Sequence, residues 1–229
     1  MASQSTPTSA ARFHRRLLTW YRKAARDLPW RRTRDPYAVL VSEFMLQQTQ
    51  VSRVVDYYGP FLDRYPTIRH LARARASEVR EAWEGLGYYR RAANLHRLAR
   101  EVVAEHDGVI PRDPADLRRL PGVGAYTAGA VATFAYEQPA AAVDTNVARV
   151  LARVFKGRSP AQVSLPRLTR LAEVLQPRSG RTAWAFNQAL MELGALVCTA
   201  RAPKCADCPV KSVCRWYGKA GGGRAPRQL

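Results

Sequence analysis

Leu120-Pro121-Gly122-Val123-Gly124 joins two segments of helical pattern. Two glycines flank one apolar residue, a proline precedes them, and a run of small residues follows from Ala125 to Tyr136. That order predicts a tight turn feeding directly into a helix. Backbone N–H groups converge at such a turn, and the positive end of the following helix adds to them, so the element suits an anion. An ordinary glycine-containing connection between helices uses the same residue types, and the five residues alone leave both readings open.

The pattern around the turn is helical throughout. Phe13, Leu17, Tyr21 and Ala24 mark one face of a basic helix ending near Asp27, where Leu28-Pro29-Trp30 stops it. Asp35-Pro36 is a cap followed by a proline at the first helical position, so a helix is expected over 36–47. Val51, Val54, Val55, Tyr58 and Leu62 mark the next. Further helices are expected over 77–84, 89–106, 125–136, 145–155, 166–175 and 181–197, with another starting at Asp113-Pro114. No hairpin and no repeat is evident, so the fold class is all-α. Residues 1–10 and 218–229 are expected to be disordered, and the basic, glycine-rich stretch from 215 onward shares that character.

The charge balance suggests a partner. Lys and Arg total 37 against 18 Asp and Glu, a formal net charge of +19, and only five of the 37 are lysines. Such an excess points to a polyanion, most often nucleic acid, although a generally basic protein or an arginine bias in composition gives the same figure. If the anion at 120–124 is a DNA phosphate, the turn is a helix–hairpin–helix, which grips backbone without reading bases. The chain is 47% hydrophobic, which excludes a disordered or fibrous protein. No apolar run approaches the roughly 20 residues that span a bilayer. No apolar stretch follows a basic start, so neither a secretory leader nor a membrane partner is expected, and the expected location is cytoplasmic, beside the nucleoid.

All four cysteines, Cys198, Cys205, Cys208 and Cys214, lie in one short segment with spacing C-x6-C-x2-C-x5-C. Clustered thiols without a secretory leader point to a metal centre rather than a disulfide framework. Zinc and a 4Fe-4S cluster both accept four thiolates, and spacing alone does not separate them.

Leu120–Gly124, Val143-Asp144-Thr145-Asn146-Val147 and the cysteine spacing together resemble the endonuclease III superfamily of DNA glycosylases. The resemblance runs over about residues 13–217. It implies a two-lobed helix–hairpin–helix glycosylase: a helical barrel lobe over 28–137, and an iron–sulfur lobe made of 11–27 plus 138–217. It also implies that Cys198, Cys205, Cys208 and Cys214 hold a 4Fe-4S cluster. Leu28–Arg31, Ser42–Gln50, Gly85–Tyr89, Phe186–Gln188 and Met191–Gly194 are similar to the A/G-specific adenine glycosylases within that superfamily. Bifunctional members carry a lysine two residues after the second hairpin glycine. Tyr126 stands there, so Schiff-base chemistry is not expected. Typical adenine glycosylases carry a further C-terminal domain, whereas this chain ends at Leu229, as do short thymine mismatch glycosylases near the same point.

Glycosidic cleavage needs a protonated leaving base and a stabilised sugar cation, a task two carboxyl groups in different environments can divide. The resemblance implies that Glu43 is the acid; it lies on an apolar helix face, where desolvation favours its protonated form. The resemblance likewise implies that Asp144 is the ionised partner. Taken singly, Asp144 reads as a helix cap and Glu43 as a solvated residue. By resemblance, Tyr126 and Asn146 support Asp144 and the sugar, and Arg31 and Gln188 contact the adenine. Gln48 and Tyr88 wedge into the duplex, with Thr49 and Leu86 beside them, and Gly122, Val123 and Gly124 hold a phosphate. The expected activity is monofunctional removal of adenine opposite 8-oxoguanine or guanine in double-stranded DNA, for which a monomer suffices. Excision of thymine or uracil opposite guanine on the same scaffold is the alternative enzyme, and an iron–sulfur DNA-binding protein without catalysis is the non-enzymatic one.

Overall fold

A computed structural model describes residues 7–219. Among them there is no strand. The helices are α1 (Pro7–Ala24), α2 (Pro36–Leu46), α3 (Val51–Arg64), α4 (Ile68–Arg73), α5 (Ala76–Ala82) and α6 (Arg90–Glu105). They continue as α7 (Pro114–Leu117), α8 (Ala125–Phe134), α9 (Thr145–Leu151), α10 (Leu165–Leu175), α11 (Gly180–Leu196) and α12 (Arg215–Lys219). The chain divides into two compact units, one of residues 27–138 and one joining 1–26 to 139–229.

In the unit 27–138, α2 is the central element. Every residue from Tyr37 to Met45 is buried, so the helix is apolar on all sides, as a helix wrapped by others must be. It starts where Asp35 accepts from the N–H groups of Tyr37 and Ala38, with Pro36 at the first helical position. Helices α3, α6 and α8 pack against it. Phe44 of α2, and Phe61, Trp83 and Leu95 in the same unit, are fully buried, each contributing about 1.5–3 kcal/mol by transfer from water.

The second unit closes around α1, α9, α10 and α11. Phe13 meets Phe155 and Phe186 edge-on at centroid distances of 5.0 and 6.2 Å, with Leu17, Leu190 and Leu193 alongside. Arg26 and the fully buried carboxylate of Glu192 form a two-point ion pair that ties the end of α1 to α11.

Three sequence expectations need correction. Residues 7–10, read as tail, form the first turn of α1, because Pro7 suits a helix start and Ala10 packs on the core. Residues 1–6 lie outside the described residues. Residues 215–219, also read as tail, form α12, where the Trp216 ring lies 5.4 Å from the Arg153 guanidinium; the remaining expected tail, 220–229, lies outside the described residues. The helix expected over 145–155 changes at Ala152 to a π-helical turn, Ala152–Lys156, ended by Gly157 in the left-handed region.

Candidate active site and metal centre

In the unit 27–138, Glu43 lies on α2 and is 4% exposed. Its neighbour Ser42 is satisfied by donating to the Val39 carbonyl at 2.7 Å, so a polar pair sits inside an otherwise apolar helix without disrupting it. Arg31 ends a 3-10 turn, Pro29–Arg31, and is half-buried. Trp30 packs edge-on against Tyr58 at 5.5 Å.

At the hairpin, α7 leads into the turn and Gly124 is the N-cap of α8. Gly122 is the position that needs glycine: φ is +78°, and a Cβ would lie 2.8 Å from the Asn94 side chain and 3.0 Å from the Phe44 ring. Gly124 has φ −89° and faces open space. Val123, grouped by the sequence with phosphate-contacting residues, points inward. It is 7% exposed and its N–H donates to the Leu120 carbonyl, so it anchors the turn. Tyr126 is half-buried on the first turn of α8.

Gln48 and Tyr88 both face solvent, Tyr88 with 60% of its surface exposed. Both also have left-handed backbone, with φ of 58° and 47°. Thr49 is half-buried and Leu86 is buried. Gln48, Thr49 and Leu86 line an open groove with Gln50, Arg53 and Asp56.

In the second unit, Asp144 caps α9. Its Oδ1 accepts from the Val147 N–H at 2.7 Å and its Oδ2 from the Asn146 Nδ2 at 2.8 Å. The cap reading of Asp144 is therefore correct, and the half-buried carboxylate is held by both oxygens. Asn146 is oriented by Arg149, whose Nη2 donates to its Oδ1 at 2.7 Å. The same guanidinium donates to the Gly194 carbonyl at 2.8 Å and the Cys198 carbonyl at 2.7 Å. Gly194 allows the approach of α11 to α9, since a Cβ there would lie 2.6 Å from the Asn146 Cβ. Asn187, 1% exposed, donates to the Ala140 carbonyl and accepts from the Ala142 N–H, fixing the extended segment before Asp144. Gln188 beside it is 5% exposed. Sequence reasoning missed Arg149; an arginine one turn after the Asp144 cap was the available signal.

Cys198, Cys205, Cys208 and Cys214 line one small cavity with Arg153 and Trp216. Among the described residues no group of three or more His, Cys, Asp or Glu side chains is arranged to hold a single metal ion. Zinc and a 4Fe-4S cluster both need four sulfurs facing one space, and all four cysteines face this one. Burial pushes the Cys208 thiol up to about 12 and raises Cys205 and Cys214 in the same direction, so thiolates there require a bound cation. Arg153, 3% exposed, donates to the Thr199 and Ala200 carbonyls at 2.7 and 2.9 Å and approaches the Cys198 sulfur at 3.6 Å. These donors suit an anionic thiolate centre.

Residues 41–176 match the family model of the HhH-GPD superfamily base excision DNA repair protein. The chain belongs to the HhH-GPD superfamily. Residues 198–214 match the iron-sulfur binding domain of endonuclease III, so this HhH-GPD chain carries an iron–sulfur cluster, the 4Fe-4S form of the sequence reading. The chain is 51% identical over 201 residues to the adenine DNA glycosylase of Mycolicibacterium smegmatis, covering 87% of this chain and 68% of that protein. It is 48% identical over 225 residues to the adenine DNA glycosylase of Rattus norvegicus, covering 93% of this chain and 43% of that one. It thus spans between about two-fifths and two-thirds of these relatives. The solved structure of a thermostable thymine-DNA glycosylase superposes with a TM-score of 0.87 at 35% identity, covering 94% of this chain and 100% of that one. Among the described residues no helix is long and apolar enough to cross a membrane.

Purified protein is expected to be brown, with absorbance near ~400 nm from thiolate-to-iron charge transfer. Colourless protein containing zinc would remove the iron–sulfur assignment.

Proposed function

We propose that this chain is a monofunctional DNA glycosylase that removes adenine mispaired with 8-oxoguanine or guanine. The observation that carries the reading is the Asp144 carboxylate, held at both oxygens at the start of α9, in a chain about half identical to two adenine DNA glycosylases. Conversion of a guanine·adenine mismatch to free adenine and an abasic strand, with no strand break before alkali, tests it.

Two carboxyl groups divide the chemistry. Glu43 donates a proton to N7 of the extruded adenine, which turns the base into a neutral leaving group. The N9–C1′ bond then breaks, and the electron pair goes to the base. Asp144 remains ionised and stabilises the cation growing on the sugar. Water adds its hydroxyl to C1′ and releases a proton, so the products are adenine and an abasic sugar. Asn146, fixed by Arg149, keeps the Asp144 carboxylate oriented. Tyr126 supports the sugar, and Arg31 and Gln188 hold the base. The lysines (Lys23, Lys156, Lys204, Lys211 and Lys219) all lie far in sequence from position 126, which favours water over an amine as the attacking group.

DNA grip comes from the hairpin and the cluster loop. The N–H groups of Gly122 and Gly124 make no hydrogen bond among the described residues, and the open space beside Gly124 admits a phosphate. The four cysteines hold the iron–sulfur cluster, which when bound supplies the metal–thiolate bonds that close the loop 198–214. Arg201 and Lys204 are exposed on that loop. Lys204→Glu is expected to weaken binding to all sequences alike and to lower the slope of log affinity against log salt by about one. An unchanged slope would remove the loop from the DNA interface. We propose that the chain acts in the cytoplasm, as a monomer, on double-stranded DNA.

A specific observation keeps a second reading alive. The thymine-DNA glycosylase structure is covered over its whole length, and the same scaffold would then act on thymine or uracil opposite guanine.

A further inference from the structure

Gln48 and Tyr88 sit in separate turns, yet both carry a left-handed backbone that side-chain-bearing residues seldom adopt. Strain of this kind persists only where surrounding contacts enforce it. The contacts here converge on one residue of α6, Arg91, which is 7% exposed. Its Nη1 donates to the carbonyls of Phe44 and Met45 at 3.0 and 2.6 Å, and also to that of Gln47. Its Nη2 donates to Thr49 Oγ1 at 2.9 Å and to the carbonyls of Leu86 and Gly87, each at 3.1 Å.

These acceptors fall on both sides of Gln48 and directly before Tyr88. The guanidinium also lies 5.5 Å from the centroid of the Tyr88 ring and 5.5 Å from that of Trp83. One planar group therefore fixes both strained turns and supports one of the two exposed side chains.

The chemistry of the site argues against a filler role. No carboxylate among the described residues pairs with Arg91, and a buried cation without a counter-ion is costly. Its charge is instead met by carbonyls, three of them at the end of α2, where the helix dipole is negative. A fork with two separated donor nitrogens can satisfy acceptors on two turns together; a single ammonium cannot. An apolar side chain would fill the same volume more cheaply but would leave the orphan carbonyls of α2 unmet.

We infer that Arg91 is a positioning residue that sets Gln48 and Tyr88 as one rigid wedge for opening the duplex. The inference rests on the adenine-excision reading above, and its test separates the two. Single-turnover adenine release is measured for the wild-type chain, Arg91→Lys, Arg91→Ala and Tyr88→Ala. Each is given adenine opposite guanine and the same adenine opposite an abasic site, where no opposite base has to be unstacked. Thermal melts and the cluster absorbance verify folding, and Arg91→Lys serves if the alanine variant does not fold.

Relative to wild type, Arg91→Lys is expected to slow release opposite guanine by about tenfold or more, and opposite the abasic site by less than about threefold. Tyr88→Ala should show the same selective pattern. An equal loss on both duplexes would reduce Arg91 to a general structural role and overturn the inference, as would wild-type rates on both. No adenine release by the wild-type chain from either duplex would overturn the excision reading, and this inference with it.

Discussion

Asp144→Asn is expected to retain mismatch affinity within about threefold while adenine release falls by roughly 10²–10³-fold, the size of loss seen when one preorganised electrostatic group is removed from a transition state. The geometry explains why the two effects separate. Asparagine caps helices as well as aspartate does, so its Oδ1 can keep the bond to the Val147 N–H and α9 stays formed. The other oxygen becomes an amide nitrogen facing the Asn146 Nδ2, two donors pointed at each other. Asn146 cannot relieve this by turning over without losing its bond from Arg149. The variant therefore loses the negative charge and misplaces what replaces it, with little cost to the fold. Equilibrium binding and single-turnover release, measured on the same duplex, check both halves. Undiminished release would remove Asp144 from the chemistry; parallel loss of binding and release would make it a structural cap.

Glu43→Gln is the second large effect expected. The side chain is nearly the same size and the site is 4% exposed, so packing is preserved. What is lost is a positioned acid, worth about 10²–10⁴-fold in rate. The residual reaction must take its proton from solvent, so its rate should rise as pH falls, by up to about tenfold per unit where solvent acid limits it. A pH–rate comparison of the two proteins tests this. A Glu43→Gln rate that falls toward low pH in parallel with wild type would show that Glu43 is not the proton donor.

The helices were legible in the sequence where capping chemistry and periodicity agreed. Asp35-Pro36 marked the start of α2, and the 3–4 spacing from Val51 marked α3. The ends were harder to read because tertiary contacts set them. Ala10 packing on a core extends α1 backward, and Trp216 against Arg153 orders a stretch that composition alone reads as tail. At the hairpin the residue types showed the turn, but not that Gly122 alone needs its backbone freedom or that Val123 turns inward. The cysteines could be named from local pattern, and the two carboxyl groups from the resemblance carried by the motifs around them. Arg91 could not, because it bonds across dozens of residues of chain and does not stand out among 32 arginines, and Arg149 offered only its place one turn after the Asp144 cap. Their significance lies in burial, which no local window reports.

The central claim is that this chain removes adenine by hydrolysis. It is tested most directly by single-turnover base release on four matched duplexes: adenine opposite 8-oxoguanine, adenine opposite guanine, thymine opposite guanine and uracil opposite guanine. Product strands are scored with and without alkali. The expected result is release from the two adenine duplexes only, with strand breaks appearing after alkali alone. Release of thymine or uracil in place of adenine, or release from none of the four, would contradict it.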